Sequence, residues 1–152
     1  MEFVTNSSEE TYILGKKLAS FLDSPITIAL NGQMAAGKTH IAKGICSYFG
    51  VGREFSSPTY SIINKYSDNL YHMDAYRIED IEELEYTGFY DIAGNGILLI
   101  EWATIIKDAN FEVDLEINII KKELDKRVIV FKGDSEKGKL ILNKMEKENE
   151  KR

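Results

Sequence analysis

The sequence predicts an α/β fold of three layers, with helices over both faces of a mostly parallel central sheet and an antiparallel hairpin added to it. Three observations point there. Residues 26–30 are a short apolar run that breaks at Gly32 and passes, from Gly37-Lys38-Thr39, into a helical pattern reaching about Phe49. Residues 96–102, Gly-Ile-Leu-Leu-Ile-Glu-Trp, are a continuous apolar run closing on an acid, as in strands buried on both faces of a parallel sheet. Between them, residues 59–66 and 70–74 are β-rich and joined by the turn Ser67-Asp-Asn69, which reads as a hairpin.

Taken in order, residues 2–5 suit a short edge strand. Ser7 or Ser8 can cap a helix with Glu9 and Glu10 in its first turn, and Tyr12, Ile13, Leu18, Ala19, Phe21 and Leu22 give residues 9–22 one apolar face. Residues 50–58 are a loop by composition. Residues 78–86 alternate acids with Ile78, Ile81 and Leu84, predicting an acidic amphipathic helix stopped by Thr87-Gly88. Residues 113–120 and 127–131 read as strands, and 135–146 as a last helix. Residues 1–146 are thus expected to form a single domain, followed by a charged, frayed tail at 147–152.

The bulk numbers narrow the function classes. A chain of 152 residues with 43% hydrophobic content suits one domain with a sizeable core. Its formal net charge of −6 argues against a large basic surface for nucleic acid. The single cysteine, Cys46, excludes a disulfide framework and reads as a packed helix residue. No apolar run reaches membrane-spanning length, and the first residues resemble neither a signal nor a transit peptide, so a cytoplasmic location is expected.

The chemistry centres on Gly32-Gln-Met-Ala-Ala-Gly-Lys-Thr39, which matches the phosphate-binding loop G-x-x-x-x-G-K-[ST]. Strand-to-helix context fits as well, giving a P-loop NTPase-like expectation. Gly32, Gln33, Met34, Ala35, Ala36 and Gly37 would cradle phosphates with backbone N–H groups. Lys38 would reach the β- and γ-phosphates of ATP, and the Thr39 hydroxyl would ligate Mg²⁺. Glu101, ending the apolar run, is the candidate second acid for the metal, although Asp is the usual residue there. Asp74 either holds the metal through water, orients the attacking water, or caps the following helix. Thr59, in Ser56-Ser-Pro-Thr-Tyr60, is a candidate γ-phosphate sensor or an ordinary strand start. His72 shares a face with Asp74 and reads as a structural hydrogen-bonding residue. Arg77 pairs with phosphate or, somewhat better, with the acids that follow it.

Five motifs in order carry a resemblance: Gly32-x-x-x-Ala-Gly-Lys-Thr39, Ser57-Pro-Thr-Tyr60, Tyr71-His-x-Asp-x-Tyr-Arg77, Glu82-Glu-Leu-x-x-x-Gly88 and Ile100-Glu-Trp102. Over about residues 11–102 the chain resembles the bacterial TsaE family, formerly YjeE. The resemblance implies a small ATPase acting in threonylcarbamoyladenosine synthesis on tRNA, bound to a TsaB–TsaD complex and meeting tRNA only through it. It implies ATP and Mg²⁺ as cofactors, with ATP turnover resetting the complex. By residue match it gives Lys38 and Thr39 the phosphate and metal roles and Glu101 the metal-linked acid position. It puts Thr59 in a switch segment, Asp74 in a second functional segment and Trp102 beside the nucleotide. It also places the adenine near Ser7 or Ser8 and Thr11. Ala35 and His40 depart from commoner family residues in and after the loop.

Two rivals remain at this point. A small-molecule or nucleoside kinase needs an acceptor pocket and an Arg-rich lid, which four arginines in all do not make visible. A nucleotide-dependent docking module would need binding without hydrolysis.

Overall fold

A computed structural model describes residues 1–33, 36–56, 58, 62–102, 109 and 111–151. Seven strands are β1 Glu2–Thr5, β2 Ile26–Gly32, β3 Ile63–Ser67, β4 Leu70–Asp74, β5 Ile97–Glu101, β6 Leu115–Lys121 and β7 Arg127–Gly133. They form one sheet in the order β1-β7-β6-β2-β5-β4-β3. The four central strands β6, β2, β5 and β4 are parallel, and β3 is the antiparallel addition on one edge. The opposite edge is antiparallel too, because β6 turns directly into β7, and β1 pairs with β7.

Alternation along the strands sorts the core into two clusters. Ile26, Ile28 and Leu30 of β2 and Ile97 and Leu99 of β5 pack under helices α1 (Ser8–Ala19), α2 (Lys38–Tyr48) and α5 (Glu136–Glu150). Ala29, Leu98, Ile100, Tyr71 and Met73 face the other way, onto Leu84 of α3 (Ile81–Tyr86) and Phe89 of α4 (Phe89–Ile92). β5 is buried on both faces, as its unbroken apolar run requires. Cys46 is a packed residue of the first cluster, and burial pushes its thiol up to about 12.

Local chemistry explains the element ends that differ from expectation. α1 begins where the Ser7 Oγ accepts from the Glu10 N–H at 3.0 Å, and it stops at Ala19, before the predicted Leu22. Beyond Ala19 the chain tightens through Phe21 N–H to Leu18 O (2.9 Å) and Leu22 N–H to Ala19 O (3.1 Å). α3 starts at Ile81, not Ile78. Asp80 caps it by accepting from the Glu83 N–H at 2.8 Å, while the Glu83 carboxylate accepts from the Glu79 N–H at 2.9 Å. Only Leu84 of α3 is buried, so the predicted amphipathic helix is a short acidic one. α5 runs past the predicted Glu146 to Glu150, where Lys17 Nζ donates to Asn149 Oδ1 at 2.8 Å. No helix among the described residues is long and apolar enough to cross a membrane.

Candidate nucleotide-binding site

The loop after β2 delivers the chain into α2 through Gly37, whose φ of 115° lies in the left-handed region where a side chain would be strained. The N-cap residue of α2, Gly37, carries no side chain to cap it, so the positive end of its dipole faces the loop. The first residue of the helix, Lys38, is only 6% exposed. Its Nζ donates to the Gly32 carbonyl at 2.7 Å and lies 3.6 Å from the centre of the Trp102 ring. Burial lowers the Lys38 pKa, while Glu101 and then Asp74 push it back up. The two carboxylates therefore act on the same ammonium.

Sheet register brings them there. Leu30 of β2 pairs with Glu101 of β5, which pairs with Asp74 of β4, so both acids leave the C-terminal ends of parallel strands on one face. Glu101 is 5% exposed and is no surface acid. Its Oε2 lies 2.7 Å from His72 Nε2. Asp74 is half-buried and accepts from the Tyr76 N–H at 2.9 Å, closing a local turn; the capping role considered for it belongs to Asp80. Trp102 follows Glu101 with a φ of 59°, uncommon for a bulky residue, and its ring sits 5.1 Å from that of Tyr76. Among the described residues no group of three or more His, Cys, Asp or Glu side chains gathers to hold a metal ion. A hydroxyl at Thr39 and a carboxylate at Glu101 are the oxygen donors that Mg²⁺ takes, in a shell otherwise made of phosphate and water.

This geometry has counterparts in known proteins. A sequence model of the family described as "Threonylcarbamoyl adenosine biosynthesis protein TsaE" matches residues 5–129. The chain belongs to the TsaE family. It is 36% identical over 135 residues to the Bacillus subtilis protein named tRNA threonylcarbamoyladenosine biosynthesis protein TsaE, covering 86% of this chain and 84% of that one. The Rickettsia conorii protein of the same name is 35% identical over 127 residues, covering 81% and 73%. The crystal structure of Bacillus subtilis YdiB superposes with a TM-score of 0.78 at 27% identity, over 98% of this chain and 95% of that one.

The other residues expected from the TsaE resemblance fall as follows. Thr11 is buried, and its Cγ2 lies 3.8 Å from where a Cβ on Gly37 would be, so the N-terminal segment does border the loop. Thr11 Oγ1 also shares a 2.7 Å hydrogen bond with Thr5 Oγ1 and donates to the Ser7 carbonyl at 3.1 Å. Ser8, Gln33, Thr39 and His40 are exposed. Met34, Ala35 and Thr59 lie outside the described residues. Arg77 is exposed and, among the described residues, pairs with none of the acids of α3, contrary to the ion-pair expectation.

Two residues gain a place that the sequence did not signal. Arg127, the first residue of β7, donates from Nε to the Ala36 carbonyl of the loop at 2.7 Å. Nothing local marks an arginine at a strand start as the partner of a backbone group 91 residues away. His72 was legible as sharing a face with Asp74, but its contact is with Glu101 on the neighbouring strand, which only the register reveals.

Proposed function

We propose that this chain binds ATP with Mg²⁺ and hydrolyses ATP to ADP and phosphate, in the cytoplasm, as the nucleotide-driven subunit of threonylcarbamoyladenosine synthesis on tRNA. It acts with a TsaB–TsaD complex and meets tRNA only through that complex. The names of its relatives support the pathway. The observation that carries the ATPase reading is the buried Lys38 ammonium at the N-terminus of α2, after the N-cap Gly37 and acted on by both Glu101 and Asp74.

Each part has a task in phosphoryl transfer. Lys38 and the N–H groups of the loop and first helical turn bind the phosphates and stabilise charge on the transferring group. Glu101, Asp74 or Thr59 orients the attacking water. Thr39 and Glu101 would hold Mg²⁺, which would supply charge neutralisation at the phosphates. Arg127 holds the loop by the Ala36 carbonyl, and Trp102 walls the lysine side. Arg127, the arginine at the loop, is engaged on the Ala36 carbonyl, so turnover alone is slow and the partner completes the site.

The test is phosphate release with and without saturating TsaB–TsaD. The rate rises with partner, and Lys38→Ala abolishes nucleotide binding. A rate unmoved by partner counts against coupling. A Glu101→Ala chain that binds ATP, does not hydrolyse it and still supports modification in cells would replace this reading with a docking module.

A further inference from the structure

The nucleotide reading employs Glu101 and leaves His72 without a task. Yet His72 is fully buried, and its Nδ1 is the buried side-chain atom that lacks any hydrogen-bond partner among the described residues. Its other nitrogen, Nε2, meets Glu101 Oε2 at 2.7 Å. An N–H buried without an acceptor is rarer and costlier than a bare ring nitrogen, so the proton belongs on Nε2, donated to the carboxylate. The ring is also held from its face. Phe55 stacks on it with centroids 5.8 Å apart and planes 15° apart, and Tyr66 stacks on Phe55 at 6.0 Å and 18°. The Tyr66 hydroxyl donates to the Ser56 carbonyl at 2.8 Å, and Asn64 Nδ2 donates to the same oxygen at 2.9 Å. The segment leading into Ser57-Pro58-Thr59 is thereby tied, through three stacked rings, to the acid beside Lys38.

We propose that His72 is a positioning residue for Glu101: its Nε2–H fixes one carboxylate oxygen so that the other is presented to the metal and phosphates, and the Phe55–Tyr66 stack holds the ring in that orientation. A glutamate carboxylate is otherwise free to turn about its last side-chain bond. Ligand carboxylates and imidazoles held this way lose about 10–100-fold in metal affinity or activity when the holding group is removed. The inference rests on the ATP and Mg²⁺ reading above.

Glutamine and asparagine separate position from bulk. The amide nitrogen of a His72→Gln side chain reaches the place of Nε2, whereas that of His72→Asn reaches only the place of Nδ1. The experiment titrates Mg²⁺ into the full chain with a fluorescent ATP analogue and follows thermal unfolding alongside. His72→Asn raises the Mg²⁺ needed for half-maximal binding about 10–100-fold, and His72→Gln restores most of it. If the two variants match wild type, or shift equally, the positioning role is overturned while the nucleotide reading stands. If wild type binds no nucleotide at any Mg²⁺ level, both fall. Should His72→Asn fail to fold, Phe55→Leu carries the test: it leaves the histidine and removes its stacking partner, and an unchanged Mg²⁺ requirement overturns the proposal.

Discussion

Gly44 of α2 decides how closely the two helices beside the phosphate loop can approach, and replacing it sets two effects against each other. A Cβ at Gly44 would lie 2.1 Å from the Tyr12 carbonyl oxygen and 3.0 Å from the Lys16 nitrogen of α1. The reciprocal position on α1, Gly15, would meet the Ile41 oxygen at 2.4 Å. All of these obstacles are backbone atoms, which cannot swing aside. By helix propensity alone Gly44→Ala stabilises by about 1 kcal/mol. Against that, the helices must part by about 1 Å to reach ordinary contact. A gap of that size forfeits about a quarter to a half of each dispersion contact across the interface of Leu14, Leu18, Ile41 and Ile45. Overpacking of this kind costs about 1–3 kcal/mol, and with backbone as the obstacle the upper end applies, leaving a net loss of about 1–2 kcal/mol. For a domain of this size, that lowers the melting temperature by about 2–8 °C in differential scanning calorimetry. Nucleotide affinity falls with it, because α1 carries Thr11 against Gly37. The exposed Lys43→Ala on the same helix is the control, expected within about 0.5 kcal/mol of wild type. A melting temperature unchanged or raised in Gly44→Ala would refute the close-crossing argument.

Arg127→Ala frees the Ala36 carbonyl and weakens ATP-analogue binding about tenfold by isothermal titration, with Arg127→Lys recovering little because the Nε–H donor is lost. Trp102 is the chain's single tryptophan, and Lys38 Nζ rests on its ring, so nucleotide that draws the ammonium away changes its emission, and Lys38→Met removes that response. Asp134 is held above the usual carboxylate range, first by burial and then by the neighbouring Glu116, with Lys132 opposing. A carboxyl raised in the folded state binds its proton more tightly there than in the unfolded chain. Its stabilising contribution is therefore present at low pH and lost as pH rises from the unfolded value through the raised folded one. Asp134→Asn removes this loss, so its melting temperature relative to wild type is highest at neutral pH and the advantage shrinks on acidification.

Much of this was legible because periodicity and punctuation are local. The strand before Gly32, the helix after Gly37 and the doubly buried run ending at Glu101 each follow from residues within about ten positions of one another. Element ends were less legible, since they depend on side chains choosing backbone partners: Asp80 took the Glu83 N–H and moved the start of α3 by three residues. Least legible were contacts set by sheet order. That β4 lies beside β5, and not merely in a hairpin with β3, is what carries His72 to Glu101. That β6 turns back into β7 is what carries Arg127 to the loop. Neither neighbour relation has a signature in the residues themselves.

The composition of the site argues for a ligand independently of any motif. Lys38, His72 and Glu101 are each under a tenth exposed, gathered where three parallel strands end. Buried charges such as the Lys38 ammonium and the Glu101 carboxylate add little to stability, since the desolvation of each charge offsets most of their mutual attraction, and apolar replacements of equal volume are commonly neutral or stabilising. Trp102 adds a left-handed backbone, at a cost of order 1–2 kcal/mol, in placing its ring over the ammonium. A core selected only to fold would have neither feature. Both are accounted for if the lysine and the glutamate must be held dry and aimed at the same point, at the mouth of a helix whose N-cap residue is a glycine. An anion bearing several charges, with a divalent cation beside it, answers the lysine, the helix end and the glutamate together.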